Sequence, residues 1–132
     1  MQKALPLFHD GGSIILNASI GSSKGVEESS VYSATKAAVR SFARTWTVDL
    51  RHRKIRVNAI SPGPIDTPGL STGFSALGLS EEEIKTNLAA AIPLGRMGIP
   101  DEVARVVLFL ASDDSTFVTG IELFVDGGMA QI

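Results

Sequence analysis

The chain has 132 residues, 12 Lys+Arg against 14 Asp+Glu, a formal net charge of −2 and no cysteine. That length suits one domain, at roughly 100–200 residues per domain, and a chain of about 150 residues hides roughly two-thirds of its unfolded surface. Hydrophobic residues at 44% and charged residues at 20% argue against disorder, the balanced charge argues against a nucleic-acid partner, and the missing cysteines exclude a disulfide framework, a thiolate nucleophile and a Cys-based metal site.

A reducing, cytoplasmic home is compatible with that cysteine count. Met1 to Phe8 is too short for a signal-peptide core, and His9-Asp10-Gly11-Gly12 interrupts it. The longest strongly apolar stretch, Val106 to Ala111, falls far short of the ~20 residues that span a bilayer. The chain therefore reads as soluble, with no membrane partner.

Met1 to Phe8 reads as the end of a helix, stopped by Gly11-Gly12. Ser13 to Ala18 is a short apolar run that reads as a strand buried on both faces, as in parallel sheets. Ile20 to Ser30, rich in Gly and Ser, reads as a loop. From Val31 to about Leu50 the period changes. Ala38, Phe42, Trp46 and Leu50 recur at fourth positions with Val39 and Ala43 beside them, one apolar stripe on a helix. Arg51 to Lys54 supplies cations that suit its C-terminus. Ile55 to Ile60 is a second strand, and strand, helix and strand with short joints make a βαβ unit with parallel strands.

Ser61 to Leu79 holds four glycines and three prolines without a clean period; a loop of that length inside a compact domain is expected to be a lid over a site. Ser80 with Glu83 makes a capping box that opens a helix running to about Ala91. Glu81 to Glu83 reads as a helix start matched to the dipole, not as an acid/base pair. After a turn from Pro93 to Gly98, Pro100, Asp101 and Glu102 open a helix that carries Val103, Val106, Val107 and Leu110 inward. Ile121 to Val125 is a third strand, closed by a turn at Asp126-Gly127-Gly128.

The strongest chemical signal is Tyr32-Ser33-Ala34-Thr35-Lys36. Tyr32 and Lys36 stand four apart on a helix and project from one face. A free tyrosine ionises near ~10, and a nearby ammonium favours the phenolate, which readies a tyrosine for general acid–base work. The spacing alone also describes a tyrosine above a lysine on a solvated helix. Context favours the catalytic reading. Tyr32 is the only tyrosine, and Ser19 lies thirteen residues before it at the C-terminal end of the preceding strand. Ligands bind open parallel sheets beyond the carboxyl ends of strands, where the second strand also ends at Asn58 to Thr67. Pro62 and Gly63 would turn the chain there and let backbone approach a flat ligand ring.

Five segments in order resemble the C-terminal half of a short-chain dehydrogenase/reductase of the classical type. They are the Ser19 strand end, Y-S-A-T-K at Tyr32 to Lys36, I-R-V-N-A-I-S-P-G-P-I-D-T from Ile55 to Thr67, P-L-G-R-M-G-I-P-D-E-V-A from Pro93 to Ala104, and V-T-G-I-E-L-F-V-D-G-G from Val118 to Gly128. The resemblance implies an α/β fold, the C-terminal half of a Rossmann-like doubly wound parallel sheet, with residues 1–132 forming a single partial domain. It implies that Ser19 hydrogen-bonds the substrate oxygen, that Tyr32 is the acid/base, and that Lys36 lowers the tyrosine's pKa and bonds the nicotinamide ribose. It implies that Pro62, Gly63, Ile65 and Thr67 pack along the nicotinamide of NAD or NADP. The substrate would be a secondary alcohol or the matching ketone, with the hydride chemistry supplied by the cofactor.

Family members are roughly twice this length. The glycine-rich turn after the first strand and the family's Asn-Asn-Ala-Gly segment have no counterpart here, so the nucleotide-binding half is expected to lie upstream of Met1, lost by truncation or belonging to a longer protein. Independent catalysis is not expected of half a site, and the alternative reading is a catalytically silent fragment acting as a folding or oligomerisation module. Asn17-Ala18-Ser19-Ile20-Gly21 resembles half of a hydrolase nucleophile elbow, but the first glycine is missing and no histidine follows Asp66. His9 and His52 read as surface residues at helix ends, with no metal site. Phe42 and Trp46 read as packing. An apolar first strand left without a neighbour invites pairing, and the family's helix from Val31 to Leu50 pairs with its copy, so a homo-oligomer, dimer or tetramer, is expected.

Overall fold

The computed structural model describes residues 3–69 and 80–131. Three strands, β1 (Ser13–Asn17), β2 (Arg56–Pro62) and β3 (Glu122–Val125), form one parallel sheet in the order β1-β2-β3. The α-helices bounded within the described residues are α1 (Ser30–Asp49), α2 (Glu81–Ala90) and α3 (Pro100–Ala111). This is the expected α/β architecture, and β1-α1-β2 is the expected βαβ unit.

Register decides what each face of the sheet carries. Ile14 stands opposite Val57 and Leu16 opposite Ala59, so these four side chains share one face under the strand's two-residue alternation. Helix α1 covers that face, and Ala43, Leu50, Val39 and Trp46 join the core there. Helix α3 covers the other face. Its Leu110 is fully buried, and its carbonyl accepts from Ser13 Oγ at 2.7 Å and from Arg56 at 2.8 Å. Arg56 also donates to the Ser112 carbonyl at 3.0 Å. One guanidinium thus satisfies carbonyls that a helix C-terminus otherwise leaves without partners.

Four expectations are corrected. The core-facing stripe of α1 is Val39, Ala43, Trp46 and Leu50, while Ala38 and Phe42 are exposed. Steps of four turn about 40° past a full circle on a helix of 3.6 residues per turn, so a strict fourth-position row drifts off the core, and alternating steps of four and three stay on it. Strand β1 is not buried on both faces: Ile14 alone is fully buried within it. It is the outer strand of the described sheet, and one of its edges is unpaired there. The segment before it is a single 3-10 turn at Leu5–Leu7 with Pro6 at its start, not the end of an α-helix. Ser61 and Pro62 belong to β2 rather than to the following loop. Of the lid expected over Ser61 to Leu79, residues 70–79 lie outside the described residues, as do Met1, Gln2 and Ile132.

The capping box is formed as expected. Ser80 Oγ accepts from the Glu83 N–H, and the Ser80 N–H donates to Glu83 at 2.9 Å. Among the described residues no helix is long and apolar enough to cross a membrane.

Candidate active site

Ser19 leaves the C-terminal end of β1 in an extended conformation and caps the 3-10 turn Ile20–Ser22, its Oγ accepting from the Gly21 N–H at 3.2 Å. Tyr32 sits in the first turns of α1 and is 51% exposed. Lys36 follows one turn on. Its ammonium lies 5.7 Å from the Tyr32 ring centre and donates to the Asn17 carbonyl at 3.1 Å. The last residue of β1 therefore ties down the lysine next to the tyrosine.

Gly21 is the point where the Ser19, Tyr32 and Ser33 side chains meet. A Cβ placed on it would stand 3.2 Å from Ser33 Oγ, 3.6 Å from Tyr32 Cε1 and 3.7 Å from Ser19 Oγ. The contacts to the ring and to Ser19 are ordinary van der Waals distances, and the crowded one is Ser33 Oγ, which would have to give by a few tenths of an ångström. Ser33 Oγ is buried there with no hydrogen-bond partner. The sequence reading brought Ser19, Tyr32 and Lys36 to one sheet edge but assigned nothing to Gly21 or Ser33.

The segment after β2 runs along β3 and the turn before α3. Pro62 ends β2 opposite Val125. Ile65 pairs with Gly98, with the Gly98 N–H donating to the Pro64 carbonyl at 3.1 Å and the Asp66 N–H donating to Gly98 at 2.8 Å. Asp66 also pairs with Lys85 of α2 at 2.9 Å, which links this segment to α2. Thr67 is half-buried and lines a cleft with Asp66, Pro68, Glu81 and Lys85. Gly63 also has a cause within the fold. A Cβ there would stand 2.8 Å from Asp126 Cβ and 2.9 Å from Asp126 Cα, so the close approach that requires glycine is that of β3's end.

Two ion pairs shape the surroundings. Arg96 grips Glu102 through both terminal nitrogens at 3.0 and 2.7 Å, and the Ile99 N–H donates to the same carboxylate at 2.9 Å. The Arg96 guanidinium first, and that N–H second, hold the Glu102 carboxyl down at about 2. Glu122 at the start of β3 is the second centre. Its side chain is 3% exposed and accepts from Ser22, Ser23, Ser61 and Arg40. Burial pushes its carboxyl up, but these hydrogen bonds outweigh burial and hold it below its ordinary value. The sequence reading missed Glu122. Its one signal was a lone acid inside the apolar run I-E-L-F-V.

A parallel sheet covered on both faces defines a Rossmann-like α/β protein, with a hydroxyl, a phenol and an ammonium at the C-terminal end of β1. A family model described as enoyl-(acyl carrier protein) reductase matches residues 1–130. The oxidoreductase asL5 of Sarocladium schorii is 46% identical over 134 residues, covering 100% of this chain and 51% of that protein. A solved short-chain dehydrogenase from Francisella tularensis superposes with a TM-score of 0.91 at 30% identity, covering 99% of this chain and 56% of that one. The structure of ElxO with NADP bound matches with a TM-score of 0.80 at 30% identity, covering 92% of this chain and 47% of that one. The chain belongs to the short-chain dehydrogenase/reductase family. It spans about half the length of the curated relatives it matches.

Proposed function

We propose that this chain carries the reacting half of an NAD(P)-dependent oxidoreductase that interconverts a secondary alcohol and its ketone. The observation that carries the reading is the approach of Ser19 Oγ and the Tyr32 ring to each other across Gly21 at the C-terminal edge of β1, with the Lys36 ammonium beside the ring.

The donor set fits a nicotinamide nucleotide. Tyr32 and Lys36 offer a phenol and an ammonium that can both donate to a ribose hydroxyl, and a structural neighbour holds NADP. Ile65 and Thr67, with Pro62 and Gly63 before them, would line the ring's path beyond β2. When bound, the nicotinamide supplies or accepts a hydride. The chain's own residues do the rest. Ser19 Oγ holds the substrate oxygen. Tyr32 gives that oxygen a proton in reduction and takes it back in oxidation. Lys36, anchored by the Asn17 carbonyl, places a fixed positive charge beside the ring, where it stabilises negative charge developing on the phenolic oxygen.

The test is cofactor binding, followed by nicotinamide fluorescence. It is run on the chain alone and on the chain joined to the half of the S. schorii relative that it does not cover. Binding by the joined protein, weakened by Lys36→Met, is the expected result. No NADH or NADPH binding by a folded joined protein would refute the reading. We also read α1 as a two-fold interface in a homo-oligomer: Val31 and Phe42 are exposed along it, and Phe42 stacks on Trp46 with ring centres 4.9 Å apart. A stable monomer in sedimentation equilibrium at micromolar concentration would contradict that.

A further inference from the structure

We infer that Glu122 is a positioning residue, a buried carboxylate that holds the Ser19 turn against the helix bearing Tyr32 and Lys36. The inference rests on the reading of those three residues as the reacting site.

Burying a carboxylate is costly unless it is paired and hydrogen-bonded, so what Glu122 binds shows what its burial achieves. Its two oxygens serve three separate elements. Oε1 accepts from Ser22 Oγ at 2.5 Å and from Ser61 Oγ at 2.6 Å. Oε2 accepts from Ser23 Oγ at 3.0 Å and from Arg40 Nε. Ser22 and Ser23 belong to the turn that follows Ser19, Ser61 belongs to β2, and Arg40 belongs to α1. None of these partners is a sequence neighbour of Glu122.

Each side of this junction leads directly to a reacting group. Ser22 Oγ also lies 2.5 Å from the Ser19 carbonyl oxygen. Its single hydrogen is shared between that carbonyl and Glu122, so one hydroxyl separates the carboxylate from the backbone of Ser19. The Ser22 N–H donates to the same carbonyl at 2.9 Å. On the other side, Tyr32, Lys36 and Arg40 stand at successive fourth positions of α1, neighbours on one helix face. Gripping Arg40 therefore fixes the helix one turn beyond Lys36. Ser61 ties both sides to the end of β2. A buried ion pair is often replaceable by packed hydrocarbon at no loss of stability. Four directed hydrogen bonds from three elements do what hydrocarbon cannot: they set a position.

The experiment uses the 132-residue chain and reads position rather than activity. Tyr32 is the only tyrosine, so its ring NMR signals report the site without ambiguity. The Gly21 and Ser22 amides, which donate to Ser19 Oγ and to the Ser19 carbonyl, report the turn by hydrogen exchange. In Glu122→Ala, these two amides should exchange about tenfold faster or more through local opening, and the Tyr32 ring signals should shift. Amides of the β1–β2 ladder should keep their protection. Glu122→Gln retains an acceptor oxygen and should restore much of the Gly21 and Ser22 protection. Ser22→Ala, which leaves Glu122 in place, should reproduce the Ser22 effect and provides the reading if Glu122→Ala fails to fold. Arg53→Met breaks the Arg53–Asp10 pair at the opposite end of the sheet and should move none of these probes. The inference is overturned if Gly21, Ser22 and Tyr32 are unchanged in folded Glu122→Ala or Ser22→Ala. Loss of protection throughout the ladder in Glu122→Gln also overturns it, because that marks a general stabiliser. The reading of the site itself fails by a separate measurement, wild-type turnover in Tyr32→Phe, so the two failures are distinguishable.

Discussion

Gly63→Ala is expected to destabilise the chain in the absence of any ligand. The added methyl would stand 2.8 Å from Asp126 Cβ, 2.9 Å from Asp126 Cα and 3.4 Å from the Asp126 carbonyl oxygen. Carbon atoms in optimal contact sit about 3.5–4.0 Å apart, so both carbon pairs overlap by roughly 0.6 Å or more. The obstacle is backbone and a Cβ, which no side-chain rotation removes. The ends of β2 and β3 must separate, and the Gly63 N–H bond to the Val125 carbonyl at 3.1 Å lies between them. Overpacking of this kind costs about 1–3 kcal/mol. With a urea slope of about 2 kcal/mol per molar, a loss of about 2 kcal/mol lowers the unfolding midpoint by about 1 M. Urea unfolding followed by Trp46 fluorescence measures it. An unchanged midpoint, with the defect confined to cofactor affinity, would refute this reasoning and return Gly63 to the role of a surface for a flat ring.

Leu110→Ala removes a fully buried side chain between α3 and the sheet and should cost about 2–5 kcal/mol; a loss below 1 kcal/mol by urea unfolding would contradict the packing described. Ser80→Ala removes the Oγ that accepts from the Glu83 N–H, the side-chain half of the capping box, and should cost about 1 kcal/mol, read by the same assay. Glu122 lies below its ordinary carboxyl value of 4.5, where hydrogen bonds from Ser22, Ser61, Arg40 and Ser23 overcome burial. A group depressed on folding adds stability that is complete above its unfolded value and is lost as pH falls through its folded value. Stability should therefore fall as pH drops below 4.5, with a shallower slope in Glu122→Gln; equal slopes in the two proteins would contradict the assignment.

The elements were legible because their periods are distinct. Ser13 to Ala18 and Ile55 to Ile60 are short apolar runs, and the twenty residues of α1 carry a helical repeat between two turn signals. Local chemistry was legible too: the Ser80 capping box and the placement of Tyr32 above Lys36 need only neighbours in sequence. What was lost depends on distant partners. Fourth-position spacing put Ala38 and Phe42 on the core stripe, but the residues that pack there were decided by where β1 and β2 lie beneath α1. Gly63 announced a close approach without saying of what, and the answer, Asp126, stands 63 positions away. Glu122 is the clearest case. Its partners lie 61, 82, 99 and 100 residues from it, so the sequence shows a lone acid in a strand and nothing of the junction it makes.

The most direct test of the central claim, that Tyr32 handles the proton in a nicotinamide-dependent reaction, is ketone-dependent oxidation of NADH or NADPH. The assay uses the chain joined to the half of the S. schorii relative it does not cover, with and without Tyr32→Phe. The substitution should lower turnover by about 10²–10⁴-fold, the typical worth of a positioned acid or base, while cofactor affinity stays within a few-fold. Turnover in Tyr32→Phe equal to that of the parent protein would contradict the claim.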